Sequence, residues 1–327
     1  MDTLAWVFYL SVAVAFAFAF GIGANDVANS FGTSIGSGAL TMRKAIVIAA
    51  FCEVAGAVTL GAGVSDTILR QISNLDSPEV PGAPVCWACG QPNSRMLIFM
   101  LGMACALFSG ALFMLVATCA AMPVSTTHAI VGAVLGMTLV GAGAACVRWF
   151  GLLTIVASWF ISPALAGALS VLCLLATKRC ILEGQDPFQR ALAGLPFLFA
   201  GTVAVSYAHG ANDTANAAGP FAAVQALYLH GLDDCGRVTT PFWVLAFCGL
   251  GIVTGLALLG HRVMQTVGRD LTSINYPRGF AIELGSTLSV VLASVAGMPV
   301  SSTHAQIGSI VAVGMLESGW FDMVVGN

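Results

Sequence analysis

Charge is what this sequence has little of. Only 8% of its 327 residues are Asp, Glu, Lys or Arg, against about a quarter in ordinary soluble domains. A soluble fold of this size is excluded, because too few charged groups exist to keep its surface in water. Twelve Lys and Arg stand against 15 Asp and Glu, for a net charge of −3, and no basic run occurs. Proteins that hold nucleic acid neutralise many phosphates with clustered cations, so no nucleic acid partner is expected. A basic stretch before the apolar segment Leu4 to Phe20 is also missing. Gly21-Ile22-Gly23-Ala24-Asn25-Asp26 follows it in place of a cleavage site, so the segment reads as a first membrane helix, not a signal peptide.

What is there is apolar length. Hydrophobic residues make up 58% of the chain and glycine contributes 37 residues. Long uncharged stretches meet the requirement of about 20 residues per bilayer-spanning helix, and glycine suits close helix packing in lipid. Most of the ten cysteines lie in apolar stretches and pack as small hydrophobes. Cys86-Trp87-Ala88-Cys89 sits in a polar, proline-containing loop, without the further ligands of a metal site or the βαβ setting of a redox motif. It reads as an incidental or disulfide-bonded loop pair.

The chain is a duplication. Gly23-Ala24-Asn25-Asp26-Val27-Ala28-Asn29 recurs as Gly210-Ala211-Asn212-Asp213-Thr214-Ala215-Asn216. Pro123-Val124-Ser125-Thr126-Thr127-His128-Ala129 recurs as Pro299-Val300-Ser301-Ser302-Thr303-His304-Ala305. Each half opens with an apolar helix, breaks at Asn-Asp, runs through two more spans and breaks again at Pro-Val-Ser. The main length difference falls in the loop from Val64 to Arg95.

Spans are expected near 4–22, 45–63, 96–120, 129–147 and 149–176, then 194–208, 240–260, 279–297 and 305–316. The expected fold is an all-α polytopic membrane protein of two inverted-topology repeats with broken helices and re-entrant segments. The first repeat covers 1–176, a short cytoplasmic linker 177–193, and the second repeat 194–327. That second repeat lacks a counterpart of the apolar run that Trp149-Phe150 opens, so it reads as C-terminally incomplete. Arg43, Lys44, Lys178, Arg179, Arg190, Arg262, Arg269 and Arg278 fall in one set of loops, while Arg70, Arg95, Arg148 and Arg237 fall in the other. The richer set belongs in the cytoplasm, which puts the N-terminus and the Cys86/Cys89 loop outside.

Polar groups at membrane depth are expensive and mark function. Asp26, Glu53, Asp213 and Glu283 are the acids there. Asn25 and Asn29, like Asn212 and Asn216, are four apart and share a helical face. Amide oxygens beside a carboxylate suit a small hard cation. The hydroxyl runs Ser125, Thr126, Thr127 and Ser301, Ser302, Thr303 follow proline and precede apolar helices. They read as exposed half-helix N-termini, where N–H groups and the dipole attract anions. His128 and His304 lie one turn further, in packing or capping positions, with proton transfer open to them. His209 precedes only the second Asn-Asp motif and receives no role. No Lys or Arg lies well inside an apolar span, so a transported oxyanion must be neutralised by helix ends, hydroxyls and co-bound cations.

At these residues the chain resembles the PiT inorganic phosphate transporter family. Both Gly-Ala-Asn-Asp motifs, both Pro-Val-Ser-x-Thr-His motifs, Phe51-Cys52-Glu53 and Ile282-Glu283-Leu284 carry the likeness over nearly the whole length. The resemblance implies a secondary transporter, not an enzyme and without a cofactor. It would carry inorganic phosphate with Na⁺ or H⁺ by alternating access, as a homodimer in the lipid bilayer, with the plasma membrane as its expected location. Asn25, Ser125, Thr126, Thr127, Asn212, Ser301, Ser302 and Thr303 are then assigned to phosphate. Asp26, Asn29, Glu53, Asp213, Asn216 and Glu283 are assigned to cation binding and coupling. Two other readings stand beside this one: a sulfate or other oxyanion permease of the same family, and an intramembrane hydrolase using Ser125/His128 or Ser301/His304 with an Asp to orient the base.

Overall fold

The computed structural model describes residues 2–36, 40–74, 86–87, 95–230, 239–267 and 276–325. The helices are α1 (Asp2–Ile22), α2 (Ala28–Gly36), α3 (Met42–Arg70), α4 (Arg95–Cys119), α5 (Thr126–Gly141), α6 (Trp149–Thr177), α7 (Pro187–His230), α8 (Phe242–Leu259), α9 (His261–Gln265), α10 (Tyr276–Val295) and α11 (Ser302–Val325). Six helices among the described residues are long and apolar enough to cross a membrane, running from Leu4–Val27 through Pro277–Val295. Large apolar side chains such as Phe150 (84% exposed) and Phe160 (74%) point outward, while carboxylates and hydroxyls are buried within. That inside-out polarity is what a lipid solvent selects. The protein is an all-helical, multi-pass membrane protein.

Breaks fall where proline follows a helix end. α4 ends on Ala121 at φ 55° and α10 on Gly297 at φ 66°. In both, the next residue closes the helix: Met122 N–H donates to Ala117 O at 2.9 Å, and Met298 N–H to Ala293 O at 2.9 Å. These are matching left-handed C-caps. An extended stretch through Pro-Val-Ser follows each, and then α5 or α11 begins.

Several expected boundaries move. The segment 129–147 is not a full span. α5 has 16 residues, about 24 Å at the helical rise and short of a bilayer core of about 30 Å. A short 3₁₀ turn at Ala144–Cys146 follows it. α3 continues to Arg70, into the segment read as loop. The Asn-Asp motifs do not break their helices. Gly23–Val27 is a five-residue π-turn with helical backbone on both sides, and Gly210 to Asn216 lies inside the uninterrupted 44-residue α7. A π-turn keeps backbone groups paired while re-aiming side chains, so neither motif exposes the backbone groups expected of a break.

Cysteine pairing also departs from expectation. Cys86 is bonded to Cys146, not to Cys89, which lies outside the described residues. The bond ties the loop after α3 to the end of α5. Asn74 N–H donates to Cys146 O at 2.9 Å and Arg148 N–H to Ile72 O at 3.0 Å. Buried Trp87 donates from Nε1 to Ser73 Oγ at 2.7 Å.

Small residues bring α3 and α7 into backbone contact. A Cβ on Gly56 would lie 1.9 Å from Tyr207 O, and one on Gly210 would lie 2.1 Å from Glu53 O. Gly63, two turns along α3, has nothing within 4 Å. Gly56→Ala should therefore lower the melting temperature of the detergent-purified protein by an overpacking cost of about 1–3 kcal/mol. Gly63→Ala should leave it unchanged. Equal melting of the two variants would contradict this packing.

Candidate functional site

The two half-helix starts meet the two Asn-Asp motifs at the centre of the bundle. Ser125 and Ser301 take the N-cap places: Ser125 Oγ accepts from His128 N–H at 3.3 Å, and Ser301 Oγ from His304 N–H at 3.1 Å. The next hydroxyls turn to the acids. Asp26, 1% exposed, accepts short hydrogen bonds from Thr126 and Thr303. Ser302 Oγ lies 3.0 Å from Asp26 Oδ1 and 3.1 Å from Asp213 Oδ1. One hydroxyl thus stands between two buried carboxylates, although it carries a single hydrogen.

Asn25 and Asn212 do matching work. Asn25 Oδ1 accepts from Val124 N–H at 3.0 Å, while its Nδ2 donates to Met122 O at 2.9 Å and Thr118 Oγ1 at 3.2 Å. Asn212 Nδ2 donates to Val300 O at 2.8 Å, and Val300 N–H donates back to Asn212 Oδ1 at 3.4 Å. Each amide satisfies backbone groups that the adjacent break leaves without helical partners. Crossed contacts tie the breaks together: Thr127 Oγ1 donates to Val300 O at 3.0 Å, and Thr303 Oγ1 to Val124 O at 3.2 Å. The same position in each copy grips the same backbone group of the other.

Among the remaining expected site residues, Asn216 Nδ2 donates to Thr126 Oγ1 at 3.2 Å and lies 3.4 Å from Thr127 Oγ1. Its Oδ1 is buried and has no partner among the described residues. The Asn29 side chain lies outside the described residues. Glu53, fully buried on α3, accepts from Ser206 of α7 at 3.0 Å through Oε1, and Oε2 has no partner among the described residues. Glu283, on α10, accepts from Ser34 of α2 at 2.6 Å. α3 is the first span after its Asn-Asp motif and α10 the second main span after its own, so these two glutamates are not copies of each other.

Sequence reasoning passed over His209. It is buried on α7, with Nδ1 3.4 Å from Asp213 Oδ2. The available signal was its copy in the first half, the apolar Ile22; a polar residue gained at membrane depth in one copy calls for a reason. His128 stacks on Trp159 with ring centroids 3.6 Å apart and faces His304 at 4.5 Å. Its Nδ1 is 2.6 Å from Ser125 Oγ. His128 and His304 border a cavity of about 920 Å³ lined by Pro123, Ser125, Pro163, Thr303 and Val311 among others, beside the hydroxyl runs.

The arrangement can hold small ions of both signs. Carboxylate and hydroxyl oxygens form a hard donor set for a cation, and the same hydroxyls, rotated, donate to an oxyanion. No group of three or more His, Cys, Asp or Glu among the described residues is placed to hold a resident metal.

Comparison with known proteins gives a consistent picture. The family model described as "Phosphate transporter family" matches residues 22–203 and 199–325. A phosphate permease homologue from Pyrococcus abyssi is 32% identical, over 96% of this chain and 90% of its own. The Arabidopsis thaliana protein "Inorganic phosphate transporter 2-1, chloroplastic" is 30% identical, over 95% of this chain and 65% of its own. A solved structure described as "The sodium-dependent phosphate transporter" superposes with a TM-score of 0.84 at 31% identity, covering 98% of this chain and 92% of that one.

Removing the shared hydroxyl tests the cluster directly. Ser302→Ala should weaken anion binding about ten- to a hundredfold, the range for one hydrogen bond to a buried charged partner. Thr138→Ala, which removes a buried hydroxyl that donates to Val134 O at 2.7 Å inside α5, should lower thermal stability by about 1 kcal/mol and change affinity little. Equal affinity losses in both would mean that the hydroxyls act only through folding.

Proposed function

The chain belongs to the phosphate transporter family, and from that premise we propose that it is a secondary active symporter carrying inorganic phosphate together with Na⁺ by alternating access. The family moves phosphate and is not enzymatic, which removes the intramembrane-hydrolase reading. One observation carries the coupling: Asp26 and Asp213 are buried on either side of a single Ser302 hydroxyl. Phosphate adds one to two negative charges to that pair, and helix ends supply only about half a positive charge each. A net negative cluster in low dielectric is untenable, so cations enter with the anion.

Na⁺ is favoured over H⁺ because the cluster offers several oxygens, from Asp26, Asp213, Thr126, Ser302 and Thr303, whereas a proton needs one. The sodium dependence of the superposed transporter supports the same choice. In this reading Asp26, Asp213, Asn29, Asn216, Glu53 and Glu283 serve cations. The hydroxyl runs, with Asn25 and Asn212 holding their backbone, enclose the phosphate. A sulfate permease is the alternative substrate assignment.

The two copies, residues 1–176 and 194–327 joined by 177–193, are proposed as inverted repeats; the crossed Thr127–Val300 and Thr303–Val124 contacts support a twofold relation. The N-terminus is placed outside the plasma membrane. The Cys86–Cys146 disulfide supports this side for the loop after α3, since such bonds persist in oxidising surroundings, and the richer set of basic loops lies opposite. A homodimer in the bilayer completes the proposal.

Phosphate uptake into proteoliposomes, with Na⁺ and pH gradients imposed separately at zero membrane potential, tests the coupling. Accumulation should follow the inward Na⁺ gradient and fall at least tenfold in Asp26→Asn and in Asp213→Asn. Accumulation with neither gradient, or unchanged cation dependence in either variant, would refute symport through this cluster.

A further inference from the structure

The second half of the central site contains a group that the first half lacks. Ser206, His209, Asp213 and Asn216 are spaced three, four and three residues apart, so they line one face of α7. His209 is 1% exposed, and neither of its ring nitrogens has a hydrogen-bond partner among the described residues. Its Nδ1 lies 3.4 Å from Asp213 Oδ2 without the alignment of a hydrogen bond, so the carboxylate does not consume the imidazole. Asp213 Oδ1 is engaged by Asn212 at 3.0 Å and Ser302 at 3.1 Å, whereas Oδ2 meets, among the described residues, a longer Ser302 contact at 3.3 Å and the imidazole. The copy of His209 is Ile22, also fully buried, so an aliphatic residue satisfies packing at the corresponding place. The imidazole therefore answers to something other than the duplicated fold.

Around the cluster, hydroxyl hydrogens from Thr126, Ser302 and Thr303 are directed at carboxylates. Until those hydroxyls rotate, an anion entering here finds few donors, and a buried N–H beside an acceptor oxygen offers a two-part contact that needs no such rotation. Hydrogen phosphate fits both parts: its P–O⁻ accepts from the imidazole N–H while its P–O–H donates to a carboxylate oxygen. Sulfate at neutral pH has four acceptors and no O–H, so it meets Asp213 acceptor to acceptor, and such mismatches discriminate strongly in buried sites.

We propose that His209 and Asp213 form a donor–acceptor pair that selects a protonated tetrahedral oxyanion over sulfate. This rests on the reading of the central cluster as the phosphate site. Labelled phosphate uptake into proteoliposomes, competed by unlabelled phosphate, arsenate or sulfate, tests it in the wild type, His209→Ile and His209→Gln. The wild type should exclude sulfate, and arsenate, which keeps an O–H, should compete like phosphate. His209→Ile should raise the KM for phosphate about tenfold or more and narrow the preference over sulfate. His209→Gln, which keeps an N–H, should retain most of both. If His209→Ile does not assemble, His209→Met supplies the donor-less comparison. Unchanged KM and discrimination in a folded donor-less variant would overturn the proposal. So would a loss that Gln does not rescue, or wild-type competition by sulfate equal to that by phosphate. Absence of wild-type phosphate uptake would instead sink the transport reading itself.

Discussion

Everything at the centre of this molecule follows from two carboxylates being buried together inside a bundle whose outer surface is apolar. Asp26 and Asp213 are at most 1% exposed and share the Ser302 hydroxyl. Water cannot reach them to relieve the desolvation, so the protein surrounds them with donors taken from interrupted helices. An unbroken helix would have spent its N-terminal N–H groups on its own carbonyls and turned its side chains outward. The Pro-Val-Ser breaks free a cap, three successive hydroxyls and a dipole end, and the Asn25 and Asn212 amides then hold the freed backbone. Close α3–α7 packing at Gly56 and Gly210 carries Glu53 to the same α7 face as Asp213, through its bond to Ser206.

The two copies match in some parts of the site and differ in others, and the difference separates architecture from chemistry. Helix ends at Ala121 and Gly297, caps at Ser125 and Ser301, amide clasps at Asn25 and Asn212, and the crossed threonine bonds all correspond. These parts fix how two half-helices face each other. Correspondence fails at Glu53 against Glu283, which sit on different spans, and at His209 against Ile22. A duplicated scaffold supplies the matching parts, while the buried Glu53, Glu283 and His209 set within it are not duplicated.

Much of this was legible in the sequence because lipid imposes simple rules. Uncharged length gave six of the nine expected spans, and proline after an apolar run gave both true breaks. The Asn-Asp motifs were misread as breaks because Gly, Asn and Asp weaken helices in isolation, whereas here each amide bonds to a distant backbone group, Val124 or Val300, and leaves its own helix intact. Cys86 was expected to be incidental or joined to its neighbour Cys89. Its true partner is 60 residues away, and connectivity across such a distance depends on how α5 ends, which composition does not reveal. His209 lacks a copy and was given no role for that reason, whereas a polar residue gained at membrane depth in one copy was itself the signal.

The absence of arginine from the apolar spans now has a physical reading. A guanidinium would bind an oxyanion bidentately with fixed donors and a permanent charge, and would go on opposing any cation brought beside it. A hydroxyl has one hydrogen and two lone pairs on a free rotor. Thr126, Ser302 and Thr303 point their hydrogens at Asp26 and Asp213; a cation entering between the carboxylates would take those oxygens' lone pairs and turn the hydrogens away. The donors released in that rotation are the ones an anion needs. In the symport reading, cation binding therefore builds the phosphate site from the same atoms. Coupling then follows from hydroxyl valence: the anion finds few donors until a cation has taken over the acids, and the cations alone leave hydroxyl hydrogens without acceptors.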